Sequence, residues 1–493
     1  MMRILQPVHH QRSDLERIAV AAMRERNLLP EFSPAALDEL RGIPGPAQET
    51  SDSIQDLRSL LWCSIDNDDS LDLDQLTYCQ ALTQGQTRML VAIADVDAVV
   101  KKGSAIDLHA CANTASVYTS ARIFPMLPER LSNDLTSLNS GQDRLAIVTE
   151  MDFSSQGVLG RSTVYRALVH NRSKLAYDAV AQWLVGQGPQ PDAAQAVEGM
   201  DLQLRQQDAL AQKMRALRHS AGSLQFETFQ PRAVFQGEQV VGIELQIQNR
   251  ARQLIEEIMI ATNGCTARFL AKSGKGSLRR VVRSPERWLR IVEVARQYGE
   301  ALPPEPDSKA LEVFLSKRRL CDPLRFADLS LVIVKLMGSG EYVVEVPGGP
   351  PIGHFGLAVM DYTHSTAPNR RYPDLITARL LKAVLAHQAP PYSLSELSAL
   401  ALHCTRQEDA ARKVERRMRK SDAALLLESR IGEVFTAIVT GNTPEGVWVR
   451  TLSPPAEGKL VGSVVKPAVG VQIRVTLVSA NVERGFIDFV LAD

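Results

Sequence analysis

The sequence predicts a mixed α+β protein with a small helical N-terminal module, a large middle domain and a C-terminal β-barrel. Helical periodicity near the start, alternating strand-like and helical patterns in the middle, and short β-branched runs at the end support this prediction. The chain has 493 residues, of which 45% are apolar and 23% charged, so it is too long for a single hydrophobic core. We place the three parts at residues 1–57, 58–430 and 431–493.

The N-terminal module is predicted to contain two helices. A capping box of Ser13 and Glu16 predicts the start of the first helix. Its apolar residues recur at helical spacing: Leu15, Ile18, Ala19, Ala22 and Met23. Ser33 and Pro34 predict the start of a second helix that ends near Gly42. The pair resembles a helix-turn-helix or winged-helix unit, and both contact with nucleic acid and simple packing remain open.

The middle domain alternates strands and helices without a regular repeat. Strands are predicted over Met89–Ala94, Ala146–Phe153 and Gln239–Gln246, and a long helix over 249–271. Neither a G-x-G-x-x-G nor a G-x-x-x-x-G-K motif occurs, which disfavours the nucleotide-binding folds that carry them. A large α+β domain is therefore the prediction for this part of the chain.

The C-terminal part is predicted to form a small barrel of the OB-fold type. Its strand-like runs are Val434–Val439, Gly446–Leu452, Val471–Val478 and Gly485–Val490. Four or five short strands in so few residues, separated by Gly, Pro and Asn, suit such a barrel. Phe435 and Trp448, with Arg450 nearby, are candidates for stacking on single-stranded nucleic acid. Burial of these aromatic side chains in the barrel core is the open alternative.

Charge and cysteine usage limit the class of protein. Lys+Arg and Asp+Glu each number 56, so net charge does not indicate a nucleic-acid partner and any basic surface must be local. Six scattered cysteines without C-x-x-C pairs favour reduced thiols. The N-terminus lacks an apolar signal region, and no run approaches 18 apolar residues. We expect a cytoplasmic protein without a membrane partner.

The strongest chemical signal is residues 64–76, where five aspartates fall within nine positions. They are Asp66, Asp68, Asp69, Asp72 and Asp74. Carboxylates this close repel one another unless a cation compensates them. Oxygen ligands without nearby Cys or His favour Mg²⁺ or Mn²⁺ over zinc. A solvated acidic loop is the open alternative.

The spacing within this segment refines the prediction. In an extended backbone Asp72 and Asp74 would share one face, with Leu71 and Leu73 on the other, and Asp66 could fold back towards the aspartates. A calcium-binding EF-hand loop is excluded, because counting from Asp66 the sixth residue is Leu71 instead of Gly and the twelfth is not Glu.

Together with more distant motifs, the acidic segment resembles the ribonuclease II (RNB) family of 3′→5′ exoribonucleases. The matching segments, in the family's order, are Ser64-Ile-Asp66, Asp72-Leu-Asp74, Val91–Asp95, Phe124–Pro128, Leu131–Leu135, Lys174–Asp178, Ile255–Asn263, His354–Leu357 and Ala367–Asp374. The resemblance implies an RNB catalytic domain and a C-terminal OB-fold. The family's usual paired N-terminal cold-shock domains are not visible, and 57 residues could not hold them.

The resemblance also implies a metal-dependent active site. Asp66, Asp72 and Asp74 match metal-binding aspartates, and Asp74 matches the residue most directly tied to catalysis. Arg370 matches the arginine that contacts the scissile phosphate. The expected cofactor is Mg²⁺, with Mn²⁺ as an alternative, in a two-metal hydrolysis. The family signature normally ends in two adjacent aspartates, whereas Gln75 follows Asp74 here; its uncharged amide would hold the second metal more weakly.

The implied substrate is single-stranded RNA with a free 3′ end, degraded to nucleoside 5′-monophosphates. Because a small helical module in place of the cold-shock domains would reshape the entrance, we also expect degradation of structured RNA with a 3′ overhang. We expect the protein to be a monomer. Tyr118 and Phe226 match the family's stacking aromatics, the latter with a one-residue gap, and Tyr177 and Glu415 match positions near the terminal nucleotides. An ordinary buried tyrosine and an ordinary helical glutamate are the open alternatives for these two. Loss of the last signature aspartate leaves a second hypothesis, an RNA-binding protein that no longer cuts.

Overall fold

The computed structural model describes residues 10–227, 231–245, 248–349, 352–444, 446–462, 467 and 469–492. The α-helices are α1 Arg12–Glu25, α2 Pro34–Gly42, α3 Ala105–Asn113, α4 Tyr177–Leu184, α5 Asp192–Gln195, α6 Met200–Ser220, α7 Arg250–Lys272, α8 Trp288–Gln297, α9 Ser308–Cys321, α10 Pro323–Met337, α11 Tyr372–Leu385 and α12 Leu394–Leu427.

The strands are β1 Ile54–Asp56, β2 Trp62–Asp66, β3 Gln75–Ala81, β4 Thr87–Ala94, β5 Val117–Tyr118, β6 Ile123–Phe124, β7 Asp143–Phe153, β8 Leu159–Ala176, β9 Pro231–Gln236, β10 Gln239–Leu245, β11 Ser277–Val281, β12 Glu341–Glu345, β13 Val434–Thr443, β14 Gly446–Thr451, β15 Glu457–Leu460, β16 Gln472–Asn481 and β17 Phe486–Leu491. These elements confirm the predicted α+β class, and one predicted strand's last residue, Gln246, lies outside the described residues.

A six-stranded sheet with the order β1-β8-β2-β3-β4-β7 forms the centre of the middle domain. The 18-residue strand β8 pairs antiparallel with β7 along its first part and parallel with β2 along its last part. This second pairing sets Asp66, at the end of β2, beside Ala176. The sheet thereby brings the end of β2 next to the start of α4.

Both faces of this sheet are covered, which explains why strand β4 is apolar from Met89 to Ala94. Along β4, Leu90, Ala92 and Ala94 face one apolar cluster that includes α3 and α11. The alternating residues Met89, Val91 and Ile93 face a second cluster, formed with α4, α6 and α7. Because successive side chains of a strand point to opposite faces, each residue of β3 and β4 faces one of these two clusters.

The two N-terminal helices lie where the sequence predicts them, but the first begins with a different cap. Gln11 precedes α1, and its N–H donates to Asp14 Oδ2 at 3.0 Å. The buried side chains of α1 belong to a cluster shared with α12 and the barrel, whereas Ala36 of α2 belongs to the cluster of the central sheet. The described N-terminal helices are therefore docked on two larger cores.

Strands β13 to β17 form the predicted closed barrel, in the order β13-β14-β15-β17-β16. The 34-residue helix α12 connects it to the middle domain. Leu397, Ala401 and Cys404 of α12 pack against the sheet's cluster, and its later residues pack against the barrel. Within the described residues, no helix is long and apolar enough to span a membrane.

Candidate active site

The acidic segment lies between β2 and β3 and is fixed by backbone contacts. Leu73 N–H donates to Ser137 Oγ at 2.9 Å, and Ser137 Oγ donates to Leu71 O at 2.8 Å. Leu138 N–H donates to Leu73 O at 2.9 Å. These bonds hold an irregular stretch that is not part of a β-strand.

The predicted shared face for the two leucines is wrong. Leu73 is only 2% exposed and packs in the sheet's core, whereas Leu71 is 57% exposed. Alternation of faces requires a regular strand, and the chain becomes one only at Gln75. The aspartates are therefore positioned by the loop contacts with Ser137 and Leu138, not by strand periodicity.

Asp74 is bound by the loop that precedes α11. Asn369 N–H donates to Asp74 Oδ1 at 2.9 Å, and Arg370 Nε donates to Asp74 Oδ2 at 3.1 Å. Asp374 Oδ1 closes this loop by accepting from Ala367 N–H at 2.8 Å and from Arg371 Nη2 at 2.7 Å. Asp74 is only 1% exposed, and both oxygens of its carboxylate thus have a hydrogen-bond partner.

The electrostatics centre on Arg370. Burial raises the pKa of Asp74 to about 7, and the Arg370 guanidinium opposes this shift. Burial also raises the pKa of Asp72, again opposed by Arg370. Burial disfavours the charged form of Arg370, but Asp74, Asp66 and Asp72 raise its pKa overall. One arginine is therefore the shared cation of all three predicted carboxylate ligands.

The donor chemistry of this cluster fits a hard divalent cation, because three carboxylates share a single positive charge. Within the described ranges, however, no group of three or more His, Cys, Asp or Glu side chains is arranged to hold a metal ion. Gln75 is buried, and strand alternation puts it on the same face of β3 as Cys79, in the cluster with α4, α6 and α7. The ligand set of Asp66, Asp72, Asp74 and Gln75 stays a prediction.

A cleft of about 400 Å³ opens beside Asp72, and we call it the Tyr118 cleft. Its charged and aromatic lining residues include Asp69, Asp72, Tyr118, Glu415, Arg419 and Asp422. The Tyr118 N–H donates to Glu415 Oε1 at 3.1 Å, and the residue Tyr118 is 41% exposed. The structure therefore brings Tyr118, Glu415 and Asp72 together on one wall.

Tyr177 lies on the other side of the acidic loop, at the start of α4. The Arg252 guanidinium lies 4.4 Å from the centroid of its ring, and Arg252 Nη2 donates to Asn67 Oδ1 at 2.8 Å. Phe226 is partly buried against a separate apolar cluster that includes Phe314 and α8 to α10, and it does not line the Tyr118 cleft. Its predicted stacking role stays a prediction.

The two barrel aromatics have different environments. Phe435 is 4% exposed and packs with Phe489 in the barrel core at a centroid distance of 6.3 Å. Its predicted stacking on RNA is therefore corrected, because a buried ring has no free face for a base. Trp448 alternates with the buried Val447 and Val449 and is only partly covered. Lys459 Nζ lies 6.0 Å from the Trp448 ring centroid, so Trp448 keeps its candidate role.

Substitutions should separate these roles. Trp448→Ala is expected to weaken binding of single-stranded RNA roughly tenfold, since one stacked base contributes about 1 to 3 kcal/mol. Phe435→Ala is expected to lower the free energy of unfolding of the barrel by about 3 kcal/mol through the cavity it leaves. Fluorescence anisotropy with labelled RNA and urea unfolding measure the two effects. A binding defect in Phe435→Ala without destabilisation would contradict this assignment.

The structure adds residues that the sequence analysis missed. Thr136 Oγ1 donates to Asn369 Oδ1 at 2.6 Å and so orients the amide beside Asp74. In the Tyr118 cleft, Ser120 Oγ donates to Asp422 Oδ1 at 2.6 Å. Asp422 follows Glu415 by seven residues on α12, a spacing that predicts the same helix face. That spacing was a signal in the sequence by which Asp422 could have been found. No sequence signal predicts the contact of Thr136 with Asn369.

Asp422 is expected to make stability depend on pH. Burial raises the pKa of Asp422 to about 6, so the folded protein holds this proton more tightly than the unfolded chain. Its contribution to stability is present below about pH 4 and lost as the pH rises through about 6. Asp422→Asn should therefore raise the free energy of unfolding at pH 7.5 by on the order of 2 kcal/mol, with little gain at pH 4.

Urea unfolding of both proteins at the two pH values measures this difference. Asp52→Asn is the matched control, because it removes a carboxylate from an exposed position. An equal gain for Asp422→Asn at both pH values would contradict the prediction.

A sheet that gathers aspartates around one arginine, joined by a long helix to a five-stranded barrel, matches one known family. The RNB domain model matches residues 54–387, and the RNase II-type exonuclease C-terminal S1 domain model matches residues 433–492. The chain therefore belongs to the RNB family.

Among its relatives, Ribonuclease R of Escherichia coli is 33% identical over an alignment of 414 residues that covers 80% of this chain and 49% of that protein. Ribonuclease R of Thermotoga maritima is 29% identical over 503 residues, covering 94% of this chain and 68% of that protein. The chain thus spans about half the length of the Escherichia coli relative.

The fold is similar to that of Mycoplasma genitalium RNase R in its apo form. The TM-score is 0.87 at 22% identity, covering 97% of this chain and 78% of that one. The Mycoplasma genitalium protein has also been solved in complex with ribose methylated single-stranded RNA and with double-stranded RNA. At this level of identity the likeness supports the fold alone.

Proposed function

We propose that the protein is a divalent-metal-dependent 3′→5′ exoribonuclease that degrades single-stranded RNA, and 3′ overhangs of structured RNA, to nucleoside 5′-monophosphates. The observation that carries the proposal is the ion pair of Asp74 with Arg370 next to a cleft lined by Asp72 and Tyr118. Membership of the RNB family and similarity to Ribonuclease R support it. We expect the protein to act as a monomer in the cytoplasm.

Each residue has a separate part in this proposal. Asp66, Asp72 and Asp74, with Gln75, would hold Mg²⁺ or Mn²⁺, which supplies an activated water and charge stabilisation when bound. Arg370 would donate to the oxygens of the scissile phosphate; 42% of its side chain is accessible despite the bond to Asp74. Tyr118 would stack on a base in the cleft, and a π-face accepts any of the four bases.

The test uses one RNA in two forms. A 5′-labelled linear RNA with Mg²⁺ should shorten to a small labelled limit product and release nucleoside 5′-monophosphates, and chelation by EDTA should stop the reaction. The same RNA ligated into a circle should resist, because it has no 3′ end. Cleavage of the circle would instead identify an endonuclease and overturn the proposed direction.

Two observations favour a second function. Gln75 supplies no charge to the acidic cluster, and the described part of the chain has no assembled metal-binding group of three His, Cys, Asp or Glu side chains. An RNA-binding protein that no longer cuts would therefore keep the cleft without hydrolysis. Binding of the linear RNA without shortening, in both Mg²⁺ and Mn²⁺, would favour this function over the exonuclease.

A further inference from the structure

Two clefts meet at the acidic loop. The Tyr118 cleft lies on one side, and a second cleft of about 730 Å³, which we call the Tyr177 cleft, lies on the other. Asn67 and Asp69 line both clefts, so residues 67–70 form a wall between them. Ser70 Oγ donates to Asp66 Oδ1 at 3.0 Å, and Lys174 Nζ donates to Asp68 O at 3.3 Å, so the wall is bonded to both β2 and β8.

The Tyr177 cleft lies beside Asp66, one of the predicted metal ligands. Asp66 is paired in register with Ala176, and Ala176 and Tyr177 both line the cleft. From there the cleft follows α4 outward past Gln182 and Val185. A small molecule formed near Asp66 therefore has a second way out, separate from the cleft that presents Tyr118 and Glu415.

We propose that the Tyr177 cleft is the release site of the nucleoside 5′-monophosphate product. This inference rests on the proposed exonuclease function, because only stepwise hydrolysis forms such a product. The volume suits a single nucleotide, since small-molecule sites fall within about 300 to 1,000 Å³. The incoming strand would stay in the Tyr118 cleft while each cleaved nucleotide leaves past α4.

The chemistry of the lining suits release more than retention. Tyr177 supplies an aromatic face at the inner end, with Arg252 packed on its ring, but the outer lining residues Gln182, Val185 and Gln187 offer no ring for a base. Four carboxylates line the cleft against two guanidinium groups: Asp68, Asp69, Asp178 and Glu244 against Arg250 and Arg252. A nucleoside monophosphate carries up to two negative charges near neutral pH, so this lining favours weak binding.

Filling the cleft should slow product release without slowing the first cleavage. The double variant Gln182→Trp/Val185→Trp places two indoles at exposed positions of the cleft, far from Asp74 in the chain. Ala179→Trp is the matched control, because Ala179 is exposed on the same helix and does not line the cleft. With enzyme in excess, removal of the first 3′ nucleotide should proceed at the wild-type rate in both variants. In steady state the double variant should be at least about fivefold slower, because release becomes limiting.

Binding of adenosine 5′-monophosphate tests the same cleft without hydrolysis. In calorimetric titrations the wild type and Ala179→Trp should bind this nucleotide weakly, and the double variant at least about fivefold more weakly. Equal binding by all three proteins, or equal slowing of the first and later cleavages, would overturn the release site. Absence of hydrolysis by the wild type would instead overturn the proposed function, and the titration would still decide whether the cleft takes a nucleotide.

Discussion

Replacing Asp74 by asparagine is expected to slow hydrolysis of RNA at least about 100-fold while leaving RNA binding nearly unchanged. The substitution keeps the size of the side chain and an oxygen that can accept from Asn369 N–H. In the wild type this hydrogen bond to Asp74 Oδ1 is 2.9 Å long. It removes the negative charge that pairs with Arg370 and that a divalent cation would require. Time courses with 5′-labelled RNA and anisotropy titrations in EDTA measure the two quantities.

Glu129→Gln is the matched control for Asp74→Asn. Glu129 also lines the Tyr118 cleft, so the substitution removes one negative charge from the same surface, but Glu129 is exposed and is not among the partners of Asp74. The control should retain activity within about threefold, since an exposed charge contributes little. Undiminished hydrolysis by Asp74→Asn would contradict the role of the acidic cluster in catalysis.

Features with a local physical cause could be predicted from the sequence. Helices α1 and α7 follow from apolar residues at helical spacing, α2 follows from its Ser-Pro start signal, and the barrel strands follow from β-branched runs between turn residues. The acidic segment could be recognised because five neighbouring carboxylates are unfavourable without a cation. Each of these signals depends only on residues that are close in the chain.

Features that depend on distant residues could not be predicted from spacing. Asp74 and Arg370 are 296 residues apart, and only the resemblance to a family connected them. The exposure of Leu71 depends on bonds between the acidic segment and Ser137, which determine that 71–74 is irregular. Strand β8 pairs with three different strands, β1, β2 and β7, an arrangement that no local pattern encodes.

The barrel aromatics are an intermediate case. Trp448 lies between two valines, and alternation along a strand would have predicted that these valines, not the tryptophan, face the core. The same rule groups Phe435 with Ala437 and Val439, which are buried. The sequence therefore held the information that distinguishes the buried ring from the accessible one, once the strands were known.

Replacing Arg370 is the second substitution with a large expected effect. Arg370→Lys should slow hydrolysis about 100-fold and Arg370→Met about 1,000-fold, because lysine keeps the charge but loses the planar donor fork, and methionine loses both. Arg419→Met is the control, since it removes an exposed cation from the same cleft. Single-turnover rates with 5′-labelled RNA measure the chemical step, and a normal rate for Arg370→Met would contradict contact with the scissile phosphate.

Asp74 and Arg370 should act as one unit in catalysis, and a double-mutant cycle tests this. Because the metal that Asp74 would hold and the guanidinium of Arg370 would act on the same scissile phosphate, adding Arg370→Met to Asp74→Asn should slow hydrolysis by no more than about threefold further. Stability should follow the same logic: Arg370→Met leaves the Asp74 carboxylate buried without its cation, and the second substitution removes that unpaired charge. The double variant should therefore unfold at a higher urea concentration than Arg370→Met alone. Fully additive losses of rate would mean that the two residues act on RNA independently, despite their contact.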